Sequence, residues 1–147
     1  MSSTPRLASS RSRVSHPASI DALLHGARRQ LDRVDPHEAF AALQEGALLI
    51  DTRPASFGRA EGVIPGAVVV ERNVLEWRLD PASPYRIPEI TGHDQRIILF
   101  CNEGFASSLA AVSLHSLGLG EATDLIGGYR AWRLAGLPTV RAVEDGG

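Results

Sequence analysis

Apolar and polar stretches alternate along this chain in a way that separates short buried strands from amphipathic helices. Strand signals fall at 47–50, 67–70, Ile97–Phe100 and 123–126. The segment Ile97–Phe100 is apolar throughout and bounded by polar residues, the pattern of a parallel strand covered on both faces. Helical spacing links Ile20, Leu23, Leu24, Ala27 and Leu31, with Arg28, Arg29 and Asp32 on the other side and Ser19 placed to cap. Asp35-Pro36-His37-Glu38 starts a second helix. Asp35 caps it, Pro36 suits its first position, and Glu38 completes a capping box. Ala39, Phe40 and Leu43 form its buried face and Gly46 stops it. Residues 74–79 read as a short helix burying Leu75, Leu79 and one face of Trp77, before a loop punctuated by Pro81, Pro84 and Pro88. A helix from Ser107 to Leu117 ends at Gly118, and 129–134 forms a last one with Trp132 inward. Such alternation predicts a three-layer α/β/α domain with a mainly parallel sheet of about five strands and right-handed crossovers. The domain spans 33–141, and an extra N-terminal helix occupies 19–32.

Composition narrows the function classes. A chain of 147 residues buries one substantial core. A formal net charge of -2 gives no basic field for nucleic acid, and no apolar run reaches membrane-spanning length. The single cysteine excludes an internal disulfide and a Cys-rich zinc site. His16, His25, His37, His93 and His115 show no paired spacing, so neither metal nor cofactor is expected. A lone thiol suits a reducing compartment, which favours the cytoplasm. Residues 1–18, rich in Ser and Arg and free of acids, read as a disordered tail, although a transit peptide shares that composition. Residues 142–147 read as a disordered end.

The candidate chemistry sits after Phe100. Cys101 follows a central strand and precedes a helix, at the edge of an α/β sheet where ligands bind. Amides of such a turn and of the first helical turn hold negative charge, and the thiolate is the nucleophilic form of cysteine. Two readings stand side by side: a catalytic nucleophile, or a small hydrophobe in the core.

Three separated motifs bear on that choice. The first is Asp51-Thr52-Arg53 followed by Glu61-Gly62-Val63-Ile64-Pro65-Gly66-Ala67. The second is the turn from Cys101 to Ala106. The third is Gly127-Gly128-Tyr129-Arg130-Ala131-Trp132 followed by Gly136-Leu137-Pro138. In this order they resemble the rhodanese-like domain of the single-domain sulfurtransferases, over about Val34 to Val140. The resemblance implies that Cys101 accepts sulfane sulfur, becomes a persulfide and passes the sulfur to a thiophilic acceptor, in two nucleophilic steps. It also implies that Asn102, Glu103, Gly104, Phe105, Ala106 and Ser107 hold the substrate. Related phosphatases have a loop one residue longer that ends in Arg. Here Ser107 occupies that place, and Phe100 rather than His precedes the cysteine.

The loop departs from the family pattern by lacking a cation: Asn102 and Glu103 stand where a basic residue is common. A carboxylate a few ångströms from an anionic donor costs about 1 kcal/mol in water and several when desolvated. Thiosulfate is therefore a doubtful donor, and a neutral or protein-borne one is favoured. Arg59 is the candidate replacement cation, with Arg53 and Arg72 in reserve. The structural alternative for Arg53 is an ion pair with Glu61 or another acid, and Asp51 is expected to set the turn by accepting backbone hydrogen bonds. Trp77 or Arg78 is expected near Cys101, against a core role for Trp77. With no second thiol, the acceptor (a thiol or cyanide) must be external. The N-terminal helix is a candidate surface for a second copy or a partner. A catalytically weak binding or regulatory module is the alternative function, and a redox sensor a third.

Overall fold

The computed structural model describes residues 19–142, so the expectations for 1–18 and 143–147 lie outside the described residues. The chain enters through helix α1 (Ile20–Arg28), whose first turn Ser19 caps by accepting the Ala22 N–H at 3.0 Å. Helix α2 (Pro36–Gln44) begins at the capping box: Asp35 accepts the Glu38 N–H at 2.8 Å, and Glu38 returns to the Asp35 N–H at 2.9 Å. Then come β1 (Leu48–Asp51), α3 (Ala55–Glu61), β2 (Val68–Val69) and a 3-10 turn at Arg72–Val74 leading into α4 (Leu75–Leu79). After the proline loop follow β3 (Ile97–Phe100), α5 (Ala106–His115), β4 (Ala122–Asp124) and α6 (Gly128–Leu134).

The four strands pair in parallel, in the order β2-β1-β3-β4, and β1 and β3 pair in register from Leu48 with Ile97 to Asp51 with Phe100. About five strands were expected; the sheet has four. Beside β4, Val34 adds one parallel bridge to Leu125, through the Val34 N–H on Asp124 (3.2 Å) and the Ile126 N–H on Val34 (2.8 Å). The cause is local. Asp35 is extended too, but its N–H is taken by Glu38 and Pro36 carries none, so the pairing does not run on toward α2.

Side chains alternate across the central strands with period two. Leu48, Ile50, Ile97, Leu99 and Ala122 point to one face, against Leu75, Leu79, Ala110, Ala111 and Leu114. Leu49, Ile98 and Phe100 point to the other, against Ala39, Ala42, Tyr129 and Trp132. Both faces are covered, as the unbroken apolar run of β3 requires. Trp132 is fully buried, donates its indole N–H to the Pro138 carbonyl at 2.8 Å, and meets Phe40 edge-on.

Trp77 corrects the sequence reading. Leu75 and Leu79 are four residues apart on the buried face of α4, so Trp77, midway between them, must turn outward. It is 60 % exposed. Helix α1 lies on α5, burying Leu24 and Ala27 and leaving Ile20 and Leu23 exposed.

Removing the α2 cap should be felt in global stability. Asp35→Ala is expected to lower the free energy of unfolding by about 1 kcal/mol in urea titration, with an unchanged m-value.

Candidate active site

Strand β3 delivers Cys101 to the carboxyl edge of the sheet, and a six-residue turn carries the chain into α5. The turn closes on the sulfur. The Gly104 N–H points at Cys101 Sγ from 3.2 Å, and the Ser107 N–H from 3.4 Å. Gly104 adopts φ +89°, a conformation that L side chains rarely adopt. Cys101 itself is half-buried. The core-hydrophobe alternative therefore lacks its requirement, an enclosed apolar sulfur.

Ser107 also brings its hydroxyl to 3.3 Å from Sγ. That hydroxyl donates to Asp124 Oδ2 at 2.7 Å, so the oxygen facing Sγ acts as an acceptor from the thiol. The Ser108 hydroxyl donates to the same carboxylate oxygen at 2.8 Å. Asp124, fully buried at the end of β4, is held by Arg33 through Nε at 2.8 Å and Nη2 at 3.2 Å. A chain of contacts thus runs from an ion pair to the sulfur.

The third sequence motif supports the loop from outside. The Tyr129 N–H donates to the Cys101 carbonyl at 2.9 Å, and the Arg130 N–H to that of Asn102 at 3.1 Å. The two backbones touch with nothing between them. A Cβ on Gly104 would lie 2.6 Å from Gly127 N, and one on Gly128 2.5 Å from the Cys101 oxygen.

The first motif forms the floor. Arg53 donates through its backbone N–H and Nε to Asp51 Oδ1, both at 3.0 Å, and through Nη2 to Oδ2 at 2.9 Å. The same guanidinium reaches the Gly62 carbonyl (2.9 Å) and Asn102 Oδ1 (3.2 Å), and lies 4.2 Å from the centre of the Tyr129 ring. The partner of Arg53 is Asp51 rather than Glu61, and Asp51 sets the turn by accepting the Arg53 N–H. Both side chains are almost completely buried, so losing either would strand a charge and cost about 3–5 kcal/mol.

A cavity of about 290 Å³ opens over the sulfur. Thr52, Arg53, Pro54, Phe57 and Arg72 line it together with Cys101, Asn102, Glu103, Phe105 and Ala106. Of the residues singled out from sequence, Gly104 and Ser107 reach the sulfur itself, and the other loop members line this space. Arg59 does not; it is exposed on α3 and outside the cavity, whereas the reserves Arg53 and Arg72 border it. Arg72 is paired with Glu76 at 2.9 Å, one turn further on. Trp77 and Arg78 line no part of the cavity; the Arg78 guanidinium is bonded to the Tyr85 carbonyl at 2.7 Å.

Glu103 is not a bare charge, because Arg130 holds it at 2.7 Å. Arg130 also reaches Glu61 at 3.4 Å, and Asn102 Nδ2 donates to Glu61 at 3.2 Å. The Arg130 hydrogen bond, opposed by partial burial and aided by Asn102 and Arg133, holds the Glu61 carboxyl below the usual carboxylate range. Four contributors to the site were missed in the sequence: Asp124, Ser108, Arg28 and Arg33. Asp124 left one signal, a lone acid inside an otherwise buried strand.

The depressed titration of Glu61 fixes the sign of a pH effect. Its contribution to stability is complete above the ordinary carboxylate range and is lost as pH falls through its lowered folded-state value. Glu61→Gln should therefore melt below wild type near neutrality. The gap should close as pH falls below the ordinary carboxylate range, read from thermal midpoints at each pH.

The rhodanese-like domain family matches residues 35–135. A sulfurtransferase of Allochromatium vinosum is 34 % identical over 97 residues, 65 % of this chain and 80 % of that one. A thiosulfate sulfurtransferase of Actinobacillus succinogenes is 28 % identical over 109 residues, covering 71 % and 86 % of the two chains. Among solved structures, a protein of unknown function from Rhodopseudomonas palustris, described as a possible tyrosine phosphatase, superposes with TM-score 0.76 at 30 % identity. That match covers 86 % of this chain and 97 % of that one. The polysulfide-sulfur transferase homodimer of Wolinella succinogenes shares the fold, with TM-score 0.67, 22 % identity and coverage of 86 % and 90 %. With its motifs, its parallel sheet and its cysteine turn in place, this chain belongs to the rhodanese-like domain family.

Proposed function

We propose that this protein is a sulfurtransferase in which Cys101 carries sulfane sulfur as a persulfide. The observation that carries this reading is a half-buried sulfur at a cavity mouth with two backbone N–H groups aimed at it. In the first step the Cys101 thiolate attacks the sulfane sulfur of a donor. The donor's S–S bond breaks, and its remainder leaves as a thiolate or equivalent anion. Cys101 is left as Sγ–S⁻. In the second step an external thiol or cyanide attacks the outer sulfur, and the Cys101 thiolate returns. No net oxidant enters. Since the chain has one cysteine, the acceptor comes from outside.

Donor choice follows from the charges at the mouth. Arg53 is spent on Asp51, Arg72 on Glu76 and Arg130 on Glu103 and Glu61. Exposed Phe57 and Phe105 flank the opening. These features favour a neutral or protein-borne persulfide over thiosulfate, the donor named for the Actinobacillus relative. Tyrosine phosphatase chemistry, suggested for the Rhodopseudomonas protein, fits poorly: the loop ends in Ala106 and Ser107, with no arginine to hold a phosphoryl group. A binding or regulatory role is the second reading, favoured by Ile20 and Leu23 exposed on α1; a second copy or a partner protein would occupy that face. No helix among the described residues is long and apolar enough to cross a membrane. A reduced lone thiol fits the cytoplasm.

Intact mass after treatment with cysteamine persulfide, whose ammonium balances its persulfide anion, should rise by one sulfur atom, and Cys101→Ser should abolish the gain. The same assay with thiosulfate should load at least about tenfold more slowly, a difference of about 1.4 kcal/mol in the barrier. Sulfur retained by the Cys101→Ser protein would remove the persulfide mechanism. Equal loading from both donors would remove the charge argument.

A further inference from the structure

The loop around Cys101 contains no cation, yet two guanidiniums reach its back from a segment that precedes the family-matched region. Arg28, the last residue of α1, donates through Nη2 to the Gly104 carbonyl at 2.8 Å and through Nε to the Ser108 hydroxyl at 3.2 Å. Its guanidinium lies 5.6 Å from the centre of the Phe105 ring. Arg33 Nη2 reaches the same carbonyl at 3.2 Å while the rest of its guanidinium grips Asp124.

The two arginines are not equivalent. The charge of Arg33 is balanced by the Asp124 carboxylate. Arg28 forms no ion pair among the described residues. One uncompensated positive charge, half-buried, therefore rests on the peptide that joins Gly104 to Phe105. Two consequences follow from the chemistry of that peptide. With its C=O held toward α1, its N–H is turned to the opposite side, because the two groups of a trans peptide point in opposite directions. A cation on the carbonyl also polarises the unit and strengthens its donor. The Phe105 and Ala106 N–H groups make no hydrogen bond among the described residues, so they are free to meet an anion arriving at Cys101.

We propose that Arg28 is a positioning residue for the reaction of Cys101: from behind the loop it holds and polarises the Gly104–Phe105 peptide, while lining no part of the cavity where a donor would sit. Arg33 is the anchor that ties the same carbonyl to Asp124. The N-terminal helix thus belongs to the working site. The sulfur-transfer part of the test rests on the sulfurtransferase reading; the alkylation part does not.

The experiment compares the full chain with Arg28→Ala and Arg28→Lys. Cys101 is alkylated with neutral iodoacetamide and with anionic iodoacetate at the same pH and ionic strength, and the ratio of the two rates is read. Arg28→Ala should slow both reagents and lower the iodoacetate-to-iodoacetamide ratio by about threefold or more; Arg28→Lys, which keeps the charge, should restore the ratio. In single-donor kinetics the Ala variant should lose about tenfold in kcat with KM within about twofold. A merely structural contact would lower the melting temperature and leave the ratio and kcat unchanged. Should the Ala variant not fold, Arg28→Gln keeps a donor for the carbonyl without the charge, and the same fall in ratio is expected. An unchanged ratio in the folded, uncharged variant overturns the proposal. Loss of the ratio in a protein that takes up no sulfur would uphold the role of Arg28 and remove the sulfurtransferase reading instead.

Discussion

Closing the turn so that the Gly104 and Ser107 N–H groups face one sulfur leaves the loop's carbonyls facing outward, where most of them find donors. That constraint explains how elements far apart in sequence come to meet here. The Cys101 and Asn102 carbonyls take the N–H groups of Tyr129 and Arg130, the Gly104 carbonyl takes Arg28 and Arg33, and the Phe105 carbonyl takes the Ser108 N–H. Gly104 and Gly128 are required because the two segments meet backbone against backbone, with no room for a Cβ on either. The active loop is less a feature of β3 and α5 than a surface on which the whole carboxyl edge converges.

The charges around it are similarly apportioned. Arg53 is placed deep, between Asp51, Asn102, the Gly62 carbonyl and the Tyr129 ring, with four of its five N–H donors committed there. It fixes the loop through Asn102, which Glu61 holds from the other side. Arg130 serves both Glu61 and Glu103, so the acid that looked hostile to anions in the sequence is partly neutralised in the fold.

The sequence revealed features whose cause is local. An unbroken apolar run requires cover on both faces, and β3 has it; the capping box and the cysteine turn likewise depend on neighbours a few positions away. The sheet family and the placement of the thiol were legible for that reason. Contacts across long separations were not. Arg28 stood on the polar side of an amphipathic pattern, where an arginine normally meets water, and only the packing of α1 on α5 brings it to Gly104, 76 positions away. Trp77 was misread because size was weighed above phase: the spacing of Leu75 and Leu79 already pointed it outward. Arg59 was the candidate cation, and nothing in a linear chain could show that α3 carries it clear of the cavity.

Because every strand runs the same way, the sheet has one working rim and one idle rim. The turns after β1, β3 and β4 all open on the first, bringing Arg53, Cys101 and the support for Gly127 to a common place. Connections at the far rim only return the chain. New chemistry on this scaffold can therefore be written by editing three short junctions, while the apolar layers beneath them stay as they are.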